Sequence, residues 1–145
     1  MAYPPLVKHK HQREYQQRFL RKYCSNRPIT THDGIQVKFH KSHFRHAFYE
    51  AANRQPRDKS VFSLERAERI DWIEVALADS AAQLHVGYDK RKRKPDPSRR
   101  VSVSNGNYVV VIEMKKKGGA VFVTAFCAGP RTLAKIKANP EWPKK

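Results

Sequence analysis

Between Tyr108 and Cys127 the chain reads YVVVIEMKKKGGAVFVTAFC, two apolar runs parted by a Lys-Lys-Lys-Gly-Gly break. Such a stretch has few folded options. β-Branched side chains suit a pleated surface better than a helix, and glycines supply the positive φ of a tight reversal, so a β-hairpin is expected. With the break as the turn, Met114 faces Val121, Ile112 faces Val123 and Val110 faces Ala125 on one side. The other side carries Val109, Val111 and Glu113 opposite Phe126, Thr124 and Phe122. One side is aliphatic, as a core requires. Its opposite mixes two aromatics with a hydroxyl and a carboxylate, an unusual composition for a merely solvated surface.

The preceding residues extend the same layer. Arg100 to Ser104 alternates in polarity, and Asn105-Gly106 is a strong two-residue turn signal. Val101 and Val103 then join the core side. Arg100 and Ser102 join the other, where Arg100, Val111 and Thr124 make one row, with Glu113 and Phe122 in the next. Leu84, Val86 and Tyr88 alternate as a further strand, with His85 on its opposite side. The expectation is a four-stranded antiparallel sheet.

Helical periodicity appears on both sides of these strands. From His9 to about Cys24, the residues Tyr15, Phe19, Leu20 and Tyr23 fall on one stripe. Ile29 to Phe39 reads as a small hairpin turning at Asp33-Gly34. Ser42 can cap a helix to about Asn53 with Phe44, Ala47, Phe48 and Ala51 inward, followed by the polar linker NRQPRDKS. Ser63 can cap one long helix, LERAERIDWIEVALADS, whose Ile70, Ile73 and Leu77 would cover the aliphatic face of the sheet. Pro130 opens a short last helix. The fold class is thus α+β: N-terminal helices packed on the sheet, with a short C-terminal helix. Residues 1–40 read as a helical and hairpin extension and 41–145 as the main domain, in one compact unit.

At 145 residues with 30 Lys and Arg against 13 Asp and Glu, the net charge of +17 speaks to partners rather than to fold. It favours nucleic acid or an acidic protein. A membrane partner is disfavoured, because no apolar run approaches spanning length and no basic helix carries a broad apolar face. MAYPPLVKHK lacks the apolar segment of a signal peptide, and two cysteines cannot build a disulfide framework or a zinc finger. Both features point to a reducing compartment such as the cytoplasm, reached from within or by delivery from a phage or another cell. No P-loop, dinucleotide motif or cluster of acidic residues suited to Mg²⁺ is present, so no cofactor is expected.

His40-x-x-His43-x-x-His46 invites a metal reading, but this spacing sets its outer members about 120° apart on a helix, too far to share one ion. No metal site is expected. Acid–base work is the rival for His43 and His46 beside Glu50, because imidazole titrates near neutrality. RNA cleavage without metal needs a base for the 2′-hydroxyl, groups for the phosphoryl oxygens and an acid for the departing 5′-oxygen. His43, His46, His85 and Glu113 are available for proton transfer, and Arg100 and Thr124 for phosphate. The basic loop Lys90, Arg91, Lys92 and Arg93, with Arg99, can grip the backbone, and Phe122 and Phe126 can stack bases. The bland alternatives are a second hydrophobic layer for the phenylalanines and plain solvated charge for the loop.

ERIDWIEVAL, YVVVIEM, FVTAF and RTLAKIKANPEW together resemble phage-associated members of the barnase–EndoU–colicin–RelE-like (BECR) RNase superfamily over roughly residues 41–142. The resemblance implies a metal-independent endoribonuclease of toxin type, with helices packed on a four-stranded antiparallel sheet whose exposed face binds and cuts RNA. It implies a helix-borne histidine (here His43 or His46), basic residues at the early strands (Lys90, Arg91, Arg100) and a hydroxyl on the last strand (Thr124). It also implies an acidic antitoxin or immunity protein as a partner. The alternatives are a non-catalytic RNA-binding or ribosome-associated protein, or a phage-encoded protein that binds a host factor.

Overall fold

A computed structural model of the chain describes residues 3–25, 29–50, 61–89 and 93–142. In chain order the elements are α1 (Gln12–Tyr23), β1 (Ile29–Thr30), β2 (Gln36–Lys38), α2 (His43–Phe48), β3 (Tyr49–Glu50) and β4 (Val61–Phe62). There follow α3 (Leu64–Glu68), α4 (Trp72–Ala78), β5 (Gln83–Asp89), β6 (Lys94–Asn105), β7 (Tyr108–Met114), β8 (Ala120–Cys127) and α5 (Pro130–Lys137). The architecture is α+β, with helices packed on a mostly antiparallel sheet and a short C-terminal helix.

Among the described residues the main sheet has six strands in the order β1-β2-β8-β7-β6-β5, two more than the sequence pattern suggests. The additions come from the Ile29–Phe39 hairpin. Its β2 strand runs parallel to the start of β8, pairing Val37 with Ala120 and Lys38 with Val121. Gly119 (φ 74°) makes room for this contact: a Cβ there would lie 3.3 Å from the Gln36 carbonyl oxygen. Residues 1–40 therefore supply Tyr15, Phe19, Tyr23, Ile29, Val37 and Phe39 to the same hydrophobic core as the rest.

Two helices are shorter than their periodicity implies. The one expected to reach Asn53 ends at Phe48; Tyr49 is extended, and β3 pairs with β4. The Ser63 N–H takes the Phe48 carbonyl at 2.7 Å, so pairing replaces the next helical turn. The remainder of that expected helix and its linker fall in 51–60, outside the described residues. The long helix after Ser63 is two, α3 and α4, broken at Arg69–Asp71. The break lets Ile70 enter the core, and the Tyr23 hydroxyl donates to the Ile70 carbonyl at 2.6 Å, satisfying an acceptor a broken helix would orphan. Ser63 does cap α3, accepting from the Arg66 N–H at 3.3 Å. As expected, Ile73 and Leu77 of α4 are fully buried, and α4 contacts β6 and β7.

Two details of register decide which side chains face which way. The β6–β7 loop is Gly106-Asn107 rather than Asn105-Gly106, with Asn105 paired to Tyr108 and Gly106 at φ 59°. That moves every β6–β7 pair by two residues and preserves the faces. In β8 a bulge leaves Val123 unpaired: Val111 faces Thr124, but Ile112 faces Phe122. Beyond the bulge each side chain of β8 changes face, so Phe122 turns inward.

Candidate functional site

The bulge removes Phe122 from the candidate site. It is fully buried, stacked on Phe39 with ring centroids 4.7 Å apart, and cannot offer a surface to a base. Phe126 stays on the second face, half-buried, with the Arg66 guanidinium 5.6 Å from its ring centre. Arg66 also donates to the Ala47 carbonyl, so α3 and α2 are clasped over this end of β8.

The expected row of Arg100, Val111 and Thr124 is recomposed by the two-residue shift. Arg100 pairs with Glu113, which faces Val121 instead of Phe122. The row containing Thr124 is instead His85, Ser102, Val111 and Thr124, across four strands. It is closed at one end: His85 is 5% and Ser102 6% exposed. Val111 and Thr124 are half-buried, yet the Thr124 hydroxyl itself is buried and, among the described residues, has no hydrogen-bond partner, as is also true of His85 Nδ1 and the Ser104 hydroxyl. The C-terminal segment runs along β5 at this edge. The Val86 N–H donates to the Pro140 carbonyl (2.8 Å) and the Trp142 N–H to the Leu84 carbonyl (2.9 Å), with His85 bridged to Glu141. A solvated polar face thus survives only in part, and Thr124 does not present its hydroxyl to solvent.

The histidines of α2 form a separate group. Their arrangement follows from the buried arc of Phe44, Ala47 and Phe48, which anchors the helix and leaves His43 at its boundary and His46 outside. His43 is half-buried with its ring edge-on to Phe122 at 6.0 Å, and His40 is exposed with its ring 5.3 Å away. The backbone N–H of His40 donates to His43 Nδ1 at 3.1 Å. Because a peptide proton points at Nδ1, the neutral ring carries its own proton on Nε2. Burial pushes the His43 pKa below the ordinary histidine value, and His40, His46 and Lys115 add in the same direction. Among the described residues no hydrogen bond or ion pair joins His43 or His46 to Thr124, Glu113 or His85.

Of the basic loop, Arg93 is exposed and is the one described non-glycine residue with positive φ (54°). Lys90, Arg91 and Lys92 lie outside the described residues, and of Arg99 and Arg100 only the backbone is described. Among the described residues no group of three His, Cys, Asp or Glu is placed to hold a metal ion, and no helix is long and apolar enough to cross a membrane.

One feature escaped the sequence pattern. An open groove of about 880 Å³ is lined by the Asp33–Gln36 turn, Lys38, the Met114–Val121 hairpin end and Trp142. Lys38, Lys115 and Lys117 are exposed there and form no ion pair among the described residues. The Lys-Lys-Lys turn was the available signal, but its partners from β2 and the C-terminus are brought to it only by folding. No family model, curated protein or solved structure matches the chain.

Proposed function

We propose that the protein is a metal-independent endoribonuclease of toxin type, whose reacting groups are the imidazoles around α2 rather than the Thr124 row. The observation that carries this reading is the placement of His43 between two exposed imidazoles, His40 and His46, at the start of a helix in a chain of net charge +17. His43, neutral and protonated on Nε2, donates to a phosphoryl oxygen, and Lys115 adds positive charge nearby. His46 takes the proton of the 2′-hydroxyl as its oxygen bonds to phosphorus. As the bond to the 5′-oxygen breaks, His40 in its imidazolium form protonates the leaving oxygen. Arg100 and Glu113, paired across β6 and β7, are assigned to strand positioning. The likeness of the sequence to BECR nucleases supports the same reaction class, and the charge suits an acidic antitoxin or immunity protein as inhibitor.

Purified protein incubated with RNA is expected to leave 2′,3′-cyclic phosphate ends, with cleavage undiminished by EDTA. His46→Ala is expected to slow it about 10²- to 10⁴-fold, the usual worth of general acid–base catalysis. Expression is expected to arrest growth, and His43→Ala with His46→Ala to relieve the arrest. A second reading, a non-catalytic RNA-binding protein, is favoured by the buried Thr124 hydroxyl and His85 ring. RNA that is bound yet stays intact with pure wild-type protein selects that reading.

A further inference from the structure

We infer that the groove between the lysine-rich hairpin end and Trp142 is a binding subsite for single-stranded nucleic acid, taking one base against the indole and the neighbouring phosphates on Lys38 and Lys115. The inference rests on the RNA-directed reading above and deepens it, naming a subsite away from the imidazoles. Four observations carry it. The volume of about 880 Å³ falls within the range of sites that enclose small ligands, roughly 300–1,000 Å³. The walls combine an indole with three exposed lysines, and among the described residues none of those lysines has an acidic partner. The carboxylate of the lining, Asp33, already accepts from the Thr31 hydroxyl, which in turn accepts from the Ile35 N–H. Trp142 is fixed by its backbone bond to Leu84 and is only half-buried, and its ring has no aromatic partner among the described residues.

The chemistry of these walls selects its ligand. Lysines with no acidic partner among the described residues attract phosphate, and an indole that shares the groove lining with Met114 and Ile35 offers an apolar face on which a base stacks. A duplex hides its base faces, so only an unpaired strand can use both. Lys115 joins this groove to the imidazole group, since it lines the first and weighs on the charge of His43 in the second.

The two tryptophans, Trp72 and Trp142, make the test direct. Wild type, W142F and W142A are titrated with a short oligouridylate, following intrinsic fluorescence and, separately, the anisotropy of a labelled strand. Wild type is expected to be quenched and W142F not, because Trp72 is held elsewhere by its bond to the Pro4 carbonyl. W142A is expected to bind about 5- to 150-fold more weakly by anisotropy, the worth of one stacked base. Lys38→Ala and Lys115→Ala should each lower the salt slope of binding by about 0.7. Equal quenching of wild type and W142F, or undiminished binding by W142A, overturns the subsite while leaving the RNA-directed reading in place. No change in anisotropy for wild type overturns both. Circular dichroism of each variant identifies any that fail to fold, and W142L, which keeps an apolar side chain but no ring on which a base can stack, then serves for W142A.

Discussion

Replacing Phe122 by alanine tests the bulge that organises the site. Phe122 is fully buried, stacked at 4.7 Å on Phe39 and tilted against Phe19 at 6.2 Å. Removing such a ring costs about 3–5 kcal/mol, which includes the transfer of its apolar surface and the void left behind. Phe126 is half-buried and gains about 0.5–1 kcal/mol from the Arg66 guanidinium, so its truncation should cost roughly 1–2 kcal/mol in all. An unbulged hairpin puts both phenylalanines on the same half-open face and makes their costs similar. Urea unfolding separates the cases. With m near 2 kcal/mol/M, Phe122→Ala should lower the midpoint by roughly 2 M and Phe126→Ala by less than about 1 M. Phe122→Leu should fall between them. A Phe122→Ala cost below about 1.5 kcal/mol, or a larger one for Phe126→Ala, refutes the bulged register and with it the removal of Phe122 from the RNA-facing surface.

Three further outcomes follow from the charged groups and thiols. Burial alone would raise the Asp71 pKa, but Arg18, bonded to both its oxygens at 2.9 and 2.6 Å, and Lys22 together hold it below the ordinary carboxylate value. A depressed carboxylate contributes stability above its unfolded pKa of about 3.9 and loses it as pH falls through the folded value, so Asp71→Asn should flatten the acid limb of a stability–pH curve. His43 has a depressed folded pKa as well, so the unfolded chain binds its proton first as pH falls. Its contribution is intact above about 6.5 and declines below, and its ring proton shifts in NMR should titrate below the ordinary histidine value. Burial pushes the thiols of Cys24 and Cys127 up, and both are free. Each should react more slowly with a disulfide reagent near neutral pH than a cysteine in the urea-unfolded chain.

Periodicity and turn chemistry, both local, determined much of this protein. The stripe of Tyr15, Phe19 and Tyr23, the hairpin from Tyr108 to Cys127, the Ser63 cap and the separation of sheet faces could be read because each rests on neighbours within a few residues. The partly polar second face and the imidazoles at the start of α2 were legible in the same way, as was the positive charge. Where competing long-range contacts decided the outcome, the pattern was silent. Helix periodicity continued past Phe48 and through Arg69, yet the Ser63 N–H took one carbonyl and the Tyr23 hydroxyl another, and the chain broke where those partners stood. Alternation in β8 carries no mark of the extra residue at Val123, because a valine is equally at home paired or bulged. That single unpaired residue sends Phe122 to the core beneath His43. Likewise, only the folded chain brings β2 and Trp142 beside the lysine turn, for a groove is made by segments that share no stretch of sequence.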